Sequence, residues 1–331
     1  MLNIHSRIDL LEKLGKYIIS DEEKKCSESQ NKAIQANAWF TEEHIQIALN
    51  NIVNEFLQKD KLEKWISNYK LPDTPKNVGI VMAGNIPLVG FHDLLCGFLS
   101  GHHLTIKLSS KDNILLPHLV EKLTEWDPEV GRQIEFSEML KGCDAYIATG
   151  SNNTARYFGQ YFGKFPHIIR KNRTSIAILD GNESDEDLSK LADDVFVYYG
   201  LGCRNVTQLC LPEGYNFEKL MRAFEKYASF IDHNKYKNNY DYYLAIYLLN
   251  KVPYITNGSI LLVENQLPFS AVSVLHYRFY NDKKQLEGEI IEHNDIQCII
   301  GNGHTPFGKA QTPSLHDFAD GVDTMRFLCN L

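Results

Sequence analysis

At 331 residues the chain is longer than most single domains, so we expect two lobes with separate hydrophobic cores. Hydrophobic residues make up 44% of the sequence and charged residues 23%, a balance typical of a soluble globular protein. The net charge of −8, with lysines and arginines scattered along the chain, argues against a nucleic-acid-binding surface.

The cysteines and the apolar runs exclude further classes of protein. Seven cysteines form no C-x-x-C pair and are odd in number, so neither a disulfide framework nor a zinc or other metal site is expected. Asp9 and Glu12 interrupt the first apolar stretch, so we expect that this stretch is not a signal peptide. No apolar run approaches about 18 residues without a charge, so we expect a cytoplasmic protein without a membrane span.

The first 75 residues are predicted to form a helical region of their own. Ile8, Leu11 and Leu14 recur at helical spacing, and Thr41 is a good N-cap for a second helical run. The polar interval 21–33 is predicted to be a loop or a solvated helix. Two prolines in residues 71–76 end the region, and no motif within it indicates chemistry.

From residue 76 onwards, short apolar strands alternate with helices. Strands are predicted at 78–83, 104–108, 145–149, 175–179, 206–211, 260–263, 271–277 and 296–300. Helices are predicted at 88–99, 115–126, 151–161, 185–199, 216–230 and 240–249. Such alternation with short connections predicts an α/β fold built on a parallel sheet.

A cysteine lies in a glycine-rich turn, Tyr199-Gly-Leu-Gly-Cys-Arg-Asn-Val206, between a predicted helix and a predicted strand. Its glycines allow a tight turn and the close approach of a ligand. A thiol surrounded by backbone N–H groups is a candidate nucleophile. On this turn alone, a buried structural Cys203 is an equally good interpretation.

Three earlier turns carry polar residues that could bind a ligand. Asn85 follows the first strand, at the edge where parallel sheets bind ligands, and its amide could donate to an oxyanion or simply favour a left-handed turn. Lys107 could reach a ribose hydroxyl or extend into solvent. Gly150-Ser151 opens a helix, where Ser151 could help to bind a phosphate or act only as an N-cap. The standard dinucleotide fingerprint and the P-loop are both absent.

Taken in order and spacing, these motifs resemble those of the aldehyde dehydrogenase superfamily. The matching segments are Asn85-Ile-Pro-Leu88, Thr105-Ile-Lys-Leu-Ser109, Thr149-Gly-Ser151, Gly202-Cys203, Glu264-Asn-Gln-Leu-Pro268 and Pro306-Phe-Gly308. More closely, residues 78–112, 200–206 and 311–323 look like the LuxC-like acyl-CoA reductases of bacterial bioluminescence. The resemblance extends from about residue 76 to the end.

The resemblance implies an aldehyde-dehydrogenase-like fold in four parts. After the helical residues 1–75 it implies a nicotinamide-cofactor-binding lobe at 76–175 with a parallel sheet. A catalytic α/β lobe at 176–305 carries the nucleophilic cysteine, and a tail at 306–331 packs back on the lobes.

The implied activity is NAD(P)H-dependent reduction of a fatty acyl-CoA, or a related acyl thioester, to the aldehyde through an acyl-cysteine. Cys203 would be the nucleophile and Asn85 an oxyanion donor. The implied cofactor-binding residues are Lys107, Ser110, Gly150, Ser151 and Glu264. NADPH is the expected cofactor, although nothing in the sequence excludes NADH. An acyl-activating partner protein and a homo-oligomer are also expected.

One departure from the family pattern concerns water activation. Typical aldehyde dehydrogenases carry a general-base glutamate about 35 residues before the cysteine, whereas residues 145–179 contain no Asp or Glu. Without such a base, hydrolysis of the acyl-enzyme is expected to be slow. His167, in the basic run 167–173, could transfer protons or be a simple surface histidine.

Two alternatives to the reductase remain open. The same cysteine could pass an acyl group to a partner thiol as an acyltransferase or acyl carrier, without redox chemistry. The chain could also be a non-catalytic relative, since it is shorter than the family's usual members.

Overall fold

The computed structural model describes residues 2–20, 24–291 and 293–331. The chain forms two compact units, one made of residues up to 172 together with 313–331, and the other of 173–312. The predicted α/β class with parallel sheets is confirmed in both units. None of the described helices has the length and apolar character needed to cross a membrane.

The N-terminal helices are α1 (Ile4–Ser20), α2 (Lys25–Ala36), α3 (Glu42–Asn51) and α4 (Lys59–Ile66), with a short π-helical segment, Ile52–Phe56. Thr41 caps α3 as predicted, because its side chain accepts from the His44 N–H at 3.1 Å. Most of the polar interval 21–33 is helical, although 21–23 lie outside the described residues. Apolar side chains of α1, α3 and α4 are buried in one core with the first sheet. Residues 1–75 therefore fold within the first unit.

The sheet of the first unit contains β1 (Asn77–Val81), β2 (His103–Lys107), β3 (Ile134–Phe136), β4 (Ala145–Thr149) and β5 (His167–Arg170). The strand order is β3-β2-β1-β4-β5, and every neighbouring pair is parallel. The connecting helices are α5 (Phe91–Ser100), α6 (Leu115–Trp126), α7 (Glu129–Gln133) and α8 (Asn152–Phe162). Val81 lies level with Lys107 on one side and with Ala148 on the other, so these three strands end together.

The sheet of the second unit contains β6 (Thr174–Ile178), β7 (Val206–Pro212), β8 (Ile255–Thr256), β9 (Leu261–Glu264), β10 (Val274–Tyr280) and β11 (Ile296–Gly301). Its order is β11-β6-β7-β10-β9-β8, with only the β8–β9 pair antiparallel among the described strands. Its helices are α9 (Asp185–Phe196), α10 (Phe217–Phe224), α11 (Asn234–Leu249) and α12 (Lys283–Ile291). In the first unit, α13 (Thr324–Cys329) packs against α5.

Several helix boundaries differ from the sequence prediction. The helix predicted over 88–99 begins at Phe91, and the α-helix predicted over 216–230 ends at Phe224. The helix predicted over 185–199 ends at Phe196, because Tyr198 and Tyr199 adopt left-handed conformations with φ of 60° and 56°. The helix predicted over 240–249 begins at Asn234, so the polar run before it is helical. Of the predicted tail, residues 306–312 belong to the second unit and 313–331 to the first.

Candidate functional site

The first sheet gathers the candidate oxyanion donor Asn85 and candidate cofactor-binding residues at one edge. Asn85, Ser110 and Ser151 follow β1, β2 and β4, which are neighbours in the sheet, and all three side chains are exposed. Because these strands are parallel and end together, the three turns lie at the carboxyl edge of the sheet, the usual ligand-binding edge of such sheets.

Lys107, the last residue of β2, reaches the same edge. Its Nζ donates to the carbonyl oxygen of Glu138 at 2.7 Å and lies 3.9 Å from the Glu138 carboxylate. The lysine side chain is about half exposed, and an ammonium group has three donors. The contact with Glu138 therefore positions the Lys107 ammonium group, which retains further N–H donors for a ligand.

Ser151 is an N-cap, which was the competing interpretation of the sequence. Its hydroxyl accepts from the Thr154 N–H at 3.2 Å at the start of α8. The Gly150 N–H donates to the Arg170 carbonyl at 3.3 Å, so this amide is used by the sheet. The N-terminal N–H groups of α8 still present positive partial charge at the ligand-binding edge.

The Asn85 turn is held by a carboxylate to which the sequence analysis gave no role. Asp112 Oδ2 accepts from the Leu88 N–H at 2.7 Å, and Leu88 has a left-handed φ of 55°. Gly84 packs so closely on Ser109 that a Cβ there would lie 2.7 Å from the Ser109 Cβ. Burial raises the pKa of Asp112 to about 6, against the lowering effect of the Leu88 hydrogen bond. A lone carboxylate after a strand was the only sequence signal for this role.

In the second unit, Cys203 lies in a turn that one buried side chain organises. Asn205 Oδ1 accepts from the Gly202 N–H at 2.8 Å, while its Nδ2 donates to carbonyls at the end of α9, including that of Val197 at 2.8 Å. Asn205 is fully buried, whereas Cys203 is half-buried. Buried hydrogen bonds from Asn205 thus hold the turn, while Cys203 itself is not fully buried.

The residues before this turn are strained. Tyr198, Tyr199 and Gly200 are consecutive residues with positive φ, which is unfavourable for side chains as large as tyrosine. Both tyrosines are buried, and Tyr199 packs on Phe230 and His233. Strain that the surrounding structure maintains is typical of functional sites.

Most of the other cysteines are poorer candidates for the nucleophile. Burial raises the thiol pKa of Cys96, Cys143 and Cys210, and that of Cys329 to about 11. Cys298 is half-buried in β11, where its Sγ lies 3.0 Å from Ser175 Oγ. That same hydroxyl donates to the Cys203 carbonyl at 3.2 Å, so Cys298 is the natural comparison for Cys203.

Glu264 is exposed at the end of β9, and the segment after it is tied to β7. Thr207 Oγ1 donates to the Pro268 carbonyl at 2.6 Å, and Gln208 Nε2 donates to the Asn265 carbonyl at 2.9 Å. Since β7 begins three residues after Cys203, the Glu-to-Pro motif is anchored to the strand that follows the nucleophile turn.

The stretch without carboxylates contains a buried arginine. Arg170, at the end of β5, contacts Asp93 Oδ2 through Nη1 at 2.5 Å and Thr324 Oγ1 through Nη2 at 2.7 Å. His167 is exposed, and its Nδ1 lies 2.8 Å from the Phe165 carbonyl oxygen. Arg170 and Asp93 form a buried ion pair, in which each charge compensates the other. Among the described residues, no cluster of His, Cys, Asp or Glu has the arrangement of a metal site.

Solved structures with the same fold are oxidoreductases. An oxidoreductase from Marinobacter aquaeolei has a TM-score of 0.67 and 11% identity, covering 90% of this chain and 73% of that one. The NAD+ complex of a Bacillus cereus aldehyde dehydrogenase scores 0.66 at 12% identity, covering 90% and 72%. A Mycobacterium tuberculosis aldehyde dehydrogenase complexed with NAD+ scores 0.62 at 14%, covering 90% and 73%.

A family model identifies the chain more narrowly. No curated protein matches the sequence. The model of the acyl-CoA reductase (LuxC) family matches residues 3–216, which include the Asn85, Lys107, Ser151 and Cys203 turns and most of the N-terminal helical region. The strand–turn arrangement, the accessible cysteine and this match agree, and the chain is a member of the LuxC family of acyl-CoA reductases, an oxidoreductase with the aldehyde dehydrogenase fold.

Proposed function

We propose that the protein reduces a fatty acyl-CoA, or a related acyl thioester, to the aldehyde with NADPH, through an acyl intermediate on Cys203. The observation that carries the proposal is the half-buried Cys203 in a turn that the buried Asn205 side chain holds by hydrogen bonds. A nucleophile that acts covalently needs such a combination of access and fixed orientation.

In the first step, the Cys203 thiolate attacks the thioester carbonyl, and the thiol of the acyl carrier leaves. We assign the first oxyanion donor to the Cys203 backbone N–H, because the amide of a nucleophilic residue is close to the carbonyl that the residue attacks. We assign the second donor to the Asn85 amide, on the motif that Asn85 shares with the superfamily. The rigid turn held by Asp112 supports this assignment, since an oxyanion donor is effective only when it is preorganised.

The carboxyl edge of the first sheet fits a nicotinamide dinucleotide. It offers the Lys107 ammonium, the exposed Ser110 and Ser151, and the N-terminus of α8, all suited to hydroxyls and phosphates. Glu264 is proposed to bind the nicotinamide ribose, as its motif implies. When bound, the coenzyme supplies the reducing equivalents that release the acyl group from Cys203 as aldehyde.

We propose NADPH rather than NADH as the coenzyme, and the residues after β2 are compatible with this choice. Residues 108–111 contain no carboxylate, and the Asp112 carboxylate is buried and bonded to the Leu88 N–H. This segment therefore presents no exposed negative charge to the 2′-phosphate of NADPH. Glu138 approaches Lys107 at 3.9 Å but is almost fully exposed, and such a screened pair contributes little.

The acyl-enzyme is expected to resist water. Residues 145–179 lack a carboxylate, and Arg170 is held by Asp93 and Thr324. We therefore expect the acyl group to remain on Cys203 until it is reduced or transferred to a thiol. Supply of the acyl group by an acyl-activating partner protein and assembly into a homo-oligomer remain predictions.

Intact-mass analysis after incubation with a long-chain acyl-CoA, with and without NADPH, tests the proposal. We expect a one-acyl mass increase without NADPH, and loss of that increase with formation of aldehyde when NADPH is present. If NADPH does not remove the acyl group but an added thiol does, the protein is an acyltransferase and not a reductase. The absence of any acyl mass would favour a non-catalytic relative.

A further inference from the structure

Asp194, in α9, is a buried carboxylate that the proposed reaction does not use. Its two oxygens accept from the backbone N–H groups of Gly308 at 2.7 Å and Ala310 at 2.9 Å. The residue is 1% exposed. A buried charge that accepts two N–H bonds holds its donors more firmly than an exposed one, because the low local dielectric strengthens both bonds.

The same peptide segment is bonded to the residue after the nucleophile. The Ala310 carbonyl oxygen accepts from Arg204 Nε at 2.6 Å. The backbone carbonyl of Asp194 accepts from Asn205 Nδ2 at 3.1 Å. These contacts form a closed ring, which we call the 194–310 ring, through Asp194, Ala310, Arg204 and Asn205. Cys203 lies immediately before Arg204 and Asn205 in the chain.

We propose that Asp194 is a positioning residue for Cys203. Asp194 acts on Cys203 through the Ala310 peptide and Arg204. The proposal rests on Cys203 being the nucleophile. Asp194 fixes the Ala310 peptide, and the Ala310 carbonyl fixes Arg204 by its Nε. The Cys203 peptide is then held from both sides, by Arg204 on this path and by Gly202 through Asn205. A misplacement of about 1 Å at a reacting group can lower a rate by about 10²-fold.

Burial raises the pKa of Asp194 to about 6, against the lowering effect of the hydrogen bonds from Gly308 and Ala310. Asp193 on the same helix raises this pKa as well, and Arg204 lowers it. Lys190 packs on Gly308 through the base of its side chain, where a Cβ added to Gly308 would lie 3.0 Å from the Lys190 Cβ. Above pH 6 the carboxylate is ionised and accepts both N–H bonds at full strength.

The experiment compares Asp194→Asn with Asp193→Asn. Asp193 is the neighbouring carboxylate on α9, and its Oδ1 accepts from Tyr227 at 2.6 Å and from Lys226 instead of the 306–310 segment. Two readouts are measured at pH 7.5: amide hydrogen exchange of the peptide containing Gly308 and Ala310, and the single-turnover rate of Cys203 acylation by a long-chain acyl-CoA at saturation.

We expect Asp194→Asn to accelerate exchange in that peptide by about tenfold or more, since charge-assisted bonds are lost. Acylation should slow by about 10²-fold with little change in the half-saturating acyl-CoA concentration. Asp193→Asn should change neither. Unchanged exchange, or accelerated exchange with normal acylation, would overturn the proposal.

A second variant keeps the test decisive if Asp194→Asn does not fold. Arg204→Gln leaves the donors and acceptors of both Asp194 hydrogen bonds in place and removes the Nε contact to Ala310 together with the Arg204 charge. We expect the same loss of acylation with normal exchange at Gly308 and Ala310. Where Asp194→Asn does fold, combining it with Arg204→Gln should cause no further loss of acylation. Normal acylation by Arg204→Gln would contradict the proposal. If wild-type Cys203 is not acylated at all, the proposed function fails instead, while the exchange readout still tests the 194–310 contacts.

Discussion

The side-chain amide of Asn205 donates to the carbonyl oxygen of Val197 at 2.8 Å and so joins the end of α9 to the turn that carries Cys203. The same side chain accepts from the Gly202 N–H at 2.8 Å. One fully buried residue therefore fixes both sides of the turn, because an amide side chain carries two N–H donors and a carbonyl acceptor.

We expect Asn205→Ala to destabilise the second unit by about 1–3 kcal/mol, since several buried backbone groups lose their partner. Acylation of Cys203 should also slow. Denaturant unfolding and single-turnover acylation measure the two effects. Asn216→Ala, which removes the exposed N-cap of α10, is the control and should reduce stability by about 1 kcal/mol with normal acylation. Equal acylation rates in the two variants would contradict the role of Asn205.

The identity of the nucleophile is tested by three single substitutions. Cys203→Ala should abolish both acylation and reduction, because the carbon–sulfur bond is the intermediate. Cys298→Ala and Cys210→Ala should retain both. Peptide mass spectrometry of the acylated protein locates the modified residue. Acyl groups on Cys298 in the Cys203→Ala variant would reassign the nucleophile.

The cofactor edge is tested through Lys107. Lys107→Ala should raise the KM for NADPH roughly ten- to hundredfold, since a charge-assisted hydrogen bond contributes about 1.5–3 kcal/mol, while acylation stays nearly normal. Lys111→Ala, an exposed lysine in the same turn, serves as the control. If acylation by Lys107→Ala falls as far as reduction, the residue has a structural role and the cofactor assignment is wrong.

Two substitutions separate the capping role of Ser151 from cofactor binding. Both roles are lost in Ser151→Ala, whereas Ser151→Asp keeps an N-cap oxygen but places a negative charge where we expect a phosphate. The KM for NADPH should therefore rise more in the aspartate variant, although its helix is better capped. A lower KM for Ser151→Asp than for Ser151→Ala would place the phosphates elsewhere.

Asp112 predicts a pH dependence of stability with a definite sign. Its folded-state pKa of about 6 lies above its usual 3.8, so the folded protein binds the proton more tightly than the unfolded chain. The stability of the wild type relative to Asp112→Asn should therefore be greatest below pH 4 and decrease as the pH rises through 6. Two pKa units correspond to at most ~3 kcal/mol.

Tryptophan fluorescence suits this measurement, because Trp39, Trp65 and Trp126 all belong to the first unit together with Asp112. Urea unfolding is followed for both proteins between pH 4 and pH 7.5. Stability curves that remain parallel across this range would show that Asp112 is not a buried carboxylate of raised pKa.

The acyl-enzyme is expected to be long-lived in water and to turn over promptly when NADPH is added. General-base assistance usually contributes ~10²–10⁴-fold in rate, and the stretch 145–179 has no carboxylate to provide it. The time course of the acyl mass, followed with and without cofactor, measures both rates. Rapid release of free fatty acid without cofactor would mean that another group activates water, and the protein would then be a thioesterase.

Local sequence patterns determined much of the architecture. The boundaries of α6 and β4 agree with those predicted, because each is a complete apolar pattern bounded by polar or turn residues. The edge strands β3 and β5 were not predicted, since three or four residues are too few to show a period. The family could be named from the sequence because its motifs are short turns with fixed spacing.

The sequence by itself determined where a thiol meets glycines and therefore where the chemistry was to be sought. Only the tertiary structure decided what holds Cys203 and Asn85 in place. Asp112 and Asp194 are each distant in sequence from the N–H groups that they bind, so no local pattern marks them. Tyr198 and Tyr199 also adopt left-handed backbone conformations that tyrosine disfavours. Contacts from other segments of the second unit stabilise them, because such strain persists only where the surrounding packing contributes more free energy than the strain costs.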